Sequence, residues 1–415
     1  MAKEKISPGI ALGALMGTAL EWYDVFLFAV AGVYISKAFF PSDDPLAGLM
    51  AVYVAYGVTF VFRPVGALLF GYIGDKAGRR SALFWTLLLA GLSTSLIGLV
   101  PDYARWGVAA PVLVVLLRIL IGLSIGGEWG AATSYIYDMT PRKTLAQILV
   151  QSGVSLGILL ASGMLLFLEY LLGDAVLDWA WRLAFLFSVV LVFIGLLFRV
   201  RFPEAVEYEE AKEKAGEVPN PIGTVLRQYP GSMLAGVFLT GAVGAGFMYS
   251  WTTLPGTARA QGIIDNNFYL LVVFGFGLAE LLGVILGGIL GERWGNLPFI
   301  FAGLLGMTVT GLLAGVVLNH IGLLVFAVLL GGFSHGVAYA PQASFLSSLF
   351  PTLARTTGVS FAYQVGNALG SGLTPFVSTY LTKIFGWAAG GYYVVAFLLL
   401  GMAATMVGAR QKAAA

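Results

Sequence analysis

The sequence has no cysteine, only two histidines and few charged residues. The absence of cysteine excludes disulfides and thiolate metal sites. Charged residues make up 11% of the 415 positions, whereas a soluble domain carries about 25%. The net charge of +2 gives no indication of nucleic-acid binding. With 59% hydrophobic residues and a mean hydropathy of +0.88, the chain has too much apolar surface for a water-soluble core. We therefore predict a protein that resides in a lipid bilayer.

Long apolar runs divide the chain into membrane-length segments. A helix needs about 20 apolar residues to cross about 30 Å of hydrocarbon. Runs of this kind lie near residues 9–36, 49–73, 81–100, 109–138, 146–172, 181–199, 231–255, 267–291, 297–318, 321–349, 356–385 and 389–408. They predict an all-α membrane protein with twelve transmembrane helices. The predicted domains are an N-terminal six-helix bundle (1–200), a charged cytoplasmic linker (201–229) and a C-terminal six-helix bundle (230–415). The N-terminus leads into a full-length run, so we expect no removable signal peptide.

The basic residues are distributed unevenly among the predicted loops. With the N-terminus placed in the cytoplasm, three of the 23 Lys and Arg residues fall in or at the edges of spans. Four fall in outer loops, namely Lys37, Arg105, Arg259 and Lys383. The remaining basic residues lie on the inner side, as the positive-inside rule requires. We therefore expect a multi-pass protein of the cell membrane with both termini in the cytoplasm.

The two halves of the chain share a repeated pattern. The Gly-rich, charged turn Gly71–Arg80 recurs as Gly288–Leu297, in each case between the second and third span of its half. Asp138–Pro141, after the fourth span, is matched by Ser348–Pro351 after the tenth. Two parallel six-helix repeats around a midplane cavity are a transporter architecture. Gly122, Gly126 and Gly130 recur at helical spacing, which predicts close helix packing.

The Gly71–Arg80 turn resembles the signature loop of the major facilitator superfamily. Further motifs resemble the metabolite:proton symporters within it: Glu21–Asp24, Arg63–Gly66, Gly126–Ala131, Ala340–Phe345, Leu349–Thr352, Arg355–Gly358 and Tyr363–Gln364. The resemblance implies proton-coupled uptake of a small organic metabolite, a carboxylate or a zwitterion, by alternating access. The sequence departs from the pattern at Ile121, where similar proteins carry Gln, at Ser348, where they carry Glu, and at the less basic Asn296–Leu297. We further expect a monomer with no cofactor or metal site and no nucleic-acid partner.

Charged residues inside the predicted spans are candidates for the transport site, because each is costly in a bilayer. Glu21 and Asp24 lie on one face of the first helix. At the rise of an α-helix, Arg118 reaches a similar depth from the other side of the membrane. We predict that Asp24 and Glu21 carry the proton and that Arg118 and Tyr23 contact the substrate. The alternative is a static buried salt bridge between the helices.

The second half offers further candidates for substrate or proton binding. Glu280 lies about 20 Å into the eighth span and His335 about 21 Å into the tenth. Either side chain could hold a proton or contact the substrate, while His335 could equally be a hydrogen-bonded packing residue. Gln151, Gln364 and Asn367 belong to polar stripes on their helices and are predicted to line the cavity. Such amides also join helices without touching a ligand.

A second group of charges is predicted to act as a conformational latch. It consists of Asp75, Arg79 and Arg80 in the signature turn, together with Asp138, Glu128 and Arg63. Asp138 could pair with Arg79 or Arg80 across the inner helix ends. In the second half both the arginine and its acidic partner are missing. We therefore expect the stronger cytoplasmic charge cluster in the first half.

Other functional classes are alternatives to a proton symporter. An uncoupled uniporter or a proton-driven exporter would use the same fold. A membrane-embedded enzyme would need a convergent catalytic group, and a receptor-like sensor often carries a long extra domain. Gly153–Gly157 and Gly332–Gly336 match the nucleophile pattern of hydrolases. That pattern requires a strand, turn and helix, whereas both matches lie in apolar helices. We therefore expect a transporter and not an enzyme.

Overall fold

The computed structural model describes the backbone of residues 8–77, 79–126, 128–201, 221–317 and 320–414. Every regular element in these ranges is helical. The side chains of Glu21, of residues 71–83 and of Glu128 lie outside the described set. The predicted sites that depend on them are named below.

The described helices form twelve successive spans, labelled α1 to α12. In the first half these are α1 (Pro8–Val30, continued by Gly32–Phe39), α2 (Pro45–Ala77), α3 (Arg79–Ile97), α4 (Ala109–Ile125, continued by Glu128–Met139), α5 (Lys143–Leu172) and α6 (Arg182–Leu186, continued by Ser188–Arg201). In the second half they are α7 (Pro230–Met248, Tyr249–Thr253 and Leu254–Ala260), α8 (Asn266–Trp294), α9 (Asn296–Leu313), α10 (Ile321–Ser348), α11 (Thr352–Asn367, Ala368–Gly372 and Thr374–Phe385) and α12 (Trp387–Ala414). Short helices, Tyr103–Trp106 and Pro221–Gln228, precede α4 and α7, and a π-helical turn, Val176–Ala180, precedes α6. The fold confirms the predicted all-α architecture.

Several spans are interrupted. Seven of the described spans, α7 among them, are long and apolar enough to cross a membrane. α1 bends sharply after Val30. The middle segments of α7 and α11, Tyr249–Thr253 and Ala368–Gly372, are π-helical turns. Such turns are frequent at functional sites, and both adjoin the cavity described below.

Glycines allow α4 to approach two neighbouring helices closely. A Cβ atom on Gly122 would lie 2.3 Å from the carbonyl oxygen of Thr59, and one on Gly126 would lie 1.9 Å from that of Arg63. Both contacts are with α2. A Cβ atom on Gly130 would lie 2.0 Å from Ser360 Oγ on α11. The predicted close packing is confirmed, and the third contact joins the two halves of the chain.

We expect Gly122→Ala to lower the thermal stability of the protein. The added methyl group meets backbone of α2, which cannot rotate away, and overpacking of this kind costs about 1–3 kcal/mol. Gly163→Ala on α5 is the matched control, because its Cβ atom would be 3.5 Å from the ring of Phe274, an ordinary contact. Thermal unfolding of both variants in detergent checks the prediction. Equal midpoints for the two variants would contradict it.

The two halves meet along two pairs of helices. α5 of the first half packs along α8 of the second, and α2 packs along α11. Aromatic rings complete the contact near the centre, where Phe26 of α1 lies 5.0 Å from Trp251 and 5.8 Å from Phe247 of α7. This arrangement places the middle parts of α1, α5, α7, α10 and α11 around a common central space.

Candidate functional site

A small central cavity lies between the two halves. Its walls are formed by Trp22 and Val154 of the first half and by Thr240, Val243, Gly244, Phe247, Met248, His335, Tyr339, Gln342, Tyr363, Asn367 and Ser371 of the second. The lining is mostly apolar and aromatic, with a few polar groups. Small-molecule sites have this composition.

Two polar groups of the cavity wall have no hydrogen-bond partner among the described residues. They are the indole N–H of Trp22 and Oε1 of Gln342. Both side chains are buried. Leaving a buried polar group without a partner costs about 1–3 kcal/mol. The cavity therefore presents a donor from the first half and an amide from the second to a polar ligand.

His335 brings a titratable group into the cavity wall. Its Nδ1 lies 2.8 Å from Oε1 of Glu280, and both side chains are buried. The imidazole also packs against the rings of Phe247 at 4.4 Å and Tyr339 at 4.6 Å. The structure thus joins two residues that the sequence suggested separately, Glu280 behind the wall and His335 in it.

Asp24 lies within the first half, beside α6. Its Oδ1 accepts a hydrogen bond of 2.6 Å from Ser188 Oγ, and the side chain is 5% exposed. Ser188 begins the second part of α6, directly after the break at Phe187. Arg118 is close enough for its charge to interact with that of Asp24. A carboxyl group at this depth needs such partners, because a charge in the bilayer centre is costly.

Arg118 is buried without a hydrogen-bond acceptor. Its side chain is 0% exposed, and Nε, Nη1 and Nη2 all lack a partner among the described residues. The guanidinium group stacks on aromatic faces instead, 4.4 Å from the ring centre of Phe28 and 5.2 Å from that of Tyr56. No hydrogen bond joins it to Asp24, so the two residues do not form a static hydrogen-bonded ion pair. The arrangement leaves a planar cation available to an anion.

Three predicted substrate residues are held by protein groups in this conformation. The Tyr23 hydroxyl donates to the carbonyl oxygen of Ala184, 2.8 Å away, and so points into the first half. Gln151 accepts a hydrogen bond from the indole of Trp129 and is not among the cavity-lining residues. Gln364 donates to the carbonyl oxygen of Gly126 at 2.6 Å, across the two halves. Of the predicted amides, only Asn367 lines the cavity.

One end of the bundle carries the loops after α4, α8 and α10, and it is called the terminal end below. Polar contacts between the two halves close this end. The Asp138 carboxylate pairs with the Arg355 guanidinium group of the other half. Arg355 also donates through Nε to the carbonyl oxygen of Ser347, 2.9 Å away. Trp129 and Tyr363 stack across the same interface, with ring centres 3.5 Å apart. Asp138 therefore has a cross-half partner that the sequence argument did not consider.

The second copy of the repeated turn also closes the terminal end. Oε2 of Glu292 accepts hydrogen bonds from the backbone N–H groups of Thr144 at 2.8 Å and Leu145 at 3.1 Å. These groups belong to the first turn of α5, where a carboxylate interacts favourably with the helix dipole. The Thr144 hydroxyl donates to Oδ1 of Asn296, 2.8 Å away. Sequence reasoning missed this contact, although Glu292 occupies the position that matches Asp75 in the repeat.

We expect Glu292→Gln to favour opening of the terminal end. Loss of a carboxylate at a helix N-terminus costs about 1–2 kcal/mol in a partly buried site, or about 5- to 30-fold in the opening equilibrium. The absence of native cysteine allows a single reporter, Val154→Cys, in the cavity wall. Its maleimide labelling should accelerate in the Glu292→Gln background.

The matched control for this experiment is Asp102→Asn. Asp102 pairs with Arg182 within the first half, away from the terminal end. We expect its removal to leave the labelling rate at the level of the reporter alone. Equal rates in the Glu292→Gln and Asp102→Asn backgrounds would show that Glu292 does not hold the terminal end closed.

The opposite end of the bundle is closed by a separate set of contacts. The Tyr53 hydroxyl donates to the carbonyl oxygen of Thr252 at 3.0 Å. Asn266 of the second half donates to Tyr34 at 2.7 Å and to Glu169 at 2.9 Å in the first half. The described contacts therefore join the two halves at both ends of the bundle, on either side of the cavity.

An ion pair in a loop adds to the closure of the opposite end. Lys383 Nζ lies 2.6 Å from Oδ2 of Asp44. This hydrogen bond, with two from the backbone of Leu46 and Ala47, holds the pKa of Asp44 below its usual value. The contact is therefore present at neutral pH and is lost as the pH falls through the lowered pKa. Both side chains are partly exposed, so its contribution is small.

The remaining latch residues are only partly described. Arg63 is buried and lies over the rings of Trp22 at 5.0 Å and Phe60 at 4.4 Å. It therefore adjoins the cavity wall. The side chains of Glu21, Asp75, Arg79, Arg80 and Glu128 lie outside the described residues. The predicted pairing of Asp138 with Arg79 or Arg80, and the stronger charge cluster of the first half, stay predictions.

A cavity between two six-helix halves, with separate contacts between the halves at each end, is typical of a membrane transporter. Comparison with known proteins agrees with this class. The model of the family described as "Sugar (and other) transporter" matches residues 10–219, and that of the Major Facilitator Superfamily matches residues 237–414. The chain belongs to the major facilitator superfamily.

Similar curated proteins include transport proteins of bacteria. The inner membrane metabolite transport protein YhjE of Escherichia coli K12 is 34% identical over 413 residues, covering 96% of this chain and 93% of the relative. The shikimate transporter of the same organism is 30% identical, covering 94% and 90%. A crystal structure of a D-xylose-proton symporter superposes with a TM-score of 0.73 at 19% identity, covering 96% of each chain. That structural similarity is evidence for the fold of this chain. The relatives are transporters of metabolites and not enzymes.

Proposed function

We propose that this protein is a proton-coupled symporter that takes up a small organic metabolite, a carboxylate or a zwitterion. The substrate enters the central cavity between the halves. The closing contacts at the two ends then break alternately, so that the cavity faces one side of the membrane at a time. An uncoupled uniporter or a proton-driven exporter with the same cavity is the alternative.

The buried cation Arg118 is the observation that carries this proposal. A guanidinium group with three nitrogens lacking acceptors is costly to bury, and a carboxylate is its best geometric match. Movement of the halves during the cycle would bring a substrate carboxylate from the cavity to Arg118. Tyr23, Gln151 and Gln364 are proposed to join the substrate contacts in the same rearrangement, with Asn367 already in the cavity wall.

Asp24 is the proposed proton-coupling group, with Glu21 as a second member of the same helix face. The charge of Arg118 favours the ionised form of Asp24. A substrate carboxylate that engages Arg118 reduces this influence, and Asp24 then takes up a proton. Proton binding and substrate binding therefore support each other, which is the requirement for symport.

The proposed orientation follows the distribution of basic residues. The terminal end faces the cytoplasm, and the halves comprise residues 1–200 and 230–415, joined by the cytoplasmic segment 201–229. The inner membrane protein YhjE among the relatives supports placement in the cytoplasmic membrane. Asp75, Arg79, Arg80, Glu128 and Arg63 are proposed to act with Asp138 as the latch of this end, and the protein as a monomer.

A thermal-shift screen of the purified protein tests the substrate class. The panel contains shikimate, proline, glycine betaine, dicarboxylates and tricarboxylates, with neutral sugars as controls. A ligand at 100 times its Kd adds about 2.7 kcal/mol of stability. We expect stabilisation by at least one carboxylate-bearing compound. Stabilisation by neutral sugars alone would contradict the proposed class.

A further inference from the structure

The second half contains its own acid–base pair beside the cavity. Glu280 of α8 is 0% exposed and His335 of α10 is 2% exposed. Oε1 of Glu280 contacts Nδ1 of His335 at 2.8 Å, whereas Oε2 is buried without a hydrogen-bond partner among the described residues. Of these two residues, His335 lines the cavity and Glu280 does not. The imidazole is therefore the link between the cavity and a carboxyl group behind its wall.

No hydrogen bond or ion pair joins the pair to a lysine or arginine among the described residues. α10 contributes Tyr339, whose hydroxyl shares a hydrogen bond of 2.9 Å with Tyr363 of α11. α7 contributes the ring of Phe247. The facing parts of α5 and α9, residues 147–165 and 297–313, hold no Asp, Glu, His, Lys, Arg or Tyr. The basic residues of α7 and α8, Arg259 and Arg293, lie at the helix ends. The pair differs in this respect from Asp24, which has Arg118 nearby.

The charge of the pair depends on one proton. With the proton, shared between the imidazole and the carboxyl group, the pair has no net charge. Without it, the pair carries a single negative charge that pairs with no arginine or lysine in the described part of the chain, in a medium where a lone charge is costly. An anionic ligand in the cavity is repelled by the unloaded pair and not by the loaded one. The pair can therefore link proton binding to the charge of the cavity contents.

We propose that Glu280 and His335 form one proton-binding unit of the second half, loaded and unloaded through the cavity, in addition to the Asp24 site. Its link to uptake rests on the proposed symport, but the binding of a proton by the pair does not. One proton binds, and no other bond forms or breaks. The unit would allow the protein to move a second proton in each cycle in which Asp24 also carries one.

The scarcity of histidine makes a direct test possible. The chain has two histidines, His335 and His320, which is exposed in the loop before α10. Selective ¹⁵N labelling of histidine therefore gives two imidazole groups in the protein reconstituted in lipid bilayers. His335→Gln assigns the signals, and His320 is the internal reference. The sample contains no substrate, so the result does not depend on the proposed transport activity.

We expect the imidazole nitrogens of His335 to change their chemical shifts with pH as the pair takes up a proton. In Glu280→Gln, which keeps the size and a hydrogen-bonding group, this transition should move or disappear, while that of His320 stays. Asp24→Asn should leave the His335 transition in place. If Glu280→Gln does not fold, Glu280→Asp, which keeps the carboxyl group at a shorter reach, should displace the transition. Shifts of His335 that do not depend on pH, or that are the same in the wild type and the Glu280 variant, would overturn the proposal.

Discussion

We expect Asp24→Asn to abolish proton-driven accumulation while exchange of substrate across the membrane continues. The asparagine amide has the same shape and can still accept the hydrogen bond from Ser188, which is 2.6 Å long in the structure. It cannot bind or release a proton at this site. The cavity and the closing contacts are not altered, so substrate can still cross in either direction. Accumulation in proteoliposomes with an imposed pH gradient, and exchange without one, are the two measurements.

The control for this experiment is Ser188→Ala. It removes the hydrogen-bond donor and keeps the carboxyl group of Asp24, so coupling should remain. Full accumulation in Asp24→Asn would exclude Asp24 as the coupling group. Loss of both accumulation and exchange, together with a large drop in thermal stability, would favour a purely structural role. Under that structural role the drop in stability would be about 3–5 kcal/mol, which is the cost of removing one partner of a buried ion pair.

We expect Arg118→Lys to reduce uptake about 10- to 100-fold, although the charge is unchanged. Lysine has no planar fork and cannot bind a carboxylate through two parallel hydrogen bonds. A hydrogen bond to a charged group contributes about 1.5–3 kcal/mol. Loss of one such bond to the substrate corresponds to the expected reduction in uptake of about 10- to 100-fold. The ammonium group can still lie over the rings of Phe28 and Tyr56, so the fold should tolerate the change.

Arg105→Lys serves as the matched control for Arg118→Lys. Arg105 is exposed in the short helix Tyr103–Trp106 before α4, and its replacement should leave uptake unchanged. The measurement is initial uptake of the metabolite that stabilises the protein most in the thermal-shift screen. Wild-type uptake by Arg118→Lys would show that Arg118 does not bind the substrate carboxylate.

The sequence predicted the spans well because the bilayer imposes a simple rule on length and composition. The predicted run at 49–73 corresponds to Pro45–Ala77, and that at 321–349 to Ile321–Ser348. The π-helical turns of α7 and α11 were not predicted, because the length and composition of a run do not determine which backbone hydrogen bonds form within its helix. The close approach of α4 to α2 was predictable from the spacing of Gly122 and Gly126.

The candidate site was predictable only in part, because its geometry depends on which helices become neighbours. The sequence indicated Glu280 and His335 because a titratable side chain inside a membrane span is costly. Their similar depths in the eighth and tenth spans were the observation that could have predicted their contact. Composition could not indicate that Gln364 contacts Gly126 of the other half. The contact of Glu292 with the first turn of α5 likewise requires the packing of α8 against α5.

Proton movement driven by the substrate tests the central proposal most directly. Proteoliposomes without a pH gradient are given the stabilising metabolite outside, with a pH indicator in the outer solution. Symport predicts that the outer solution becomes alkaline when substrate is added, and that Asp24→Asn shows no such change. Substrate entry without any change of outer pH in the wild type would contradict proton-coupled uptake.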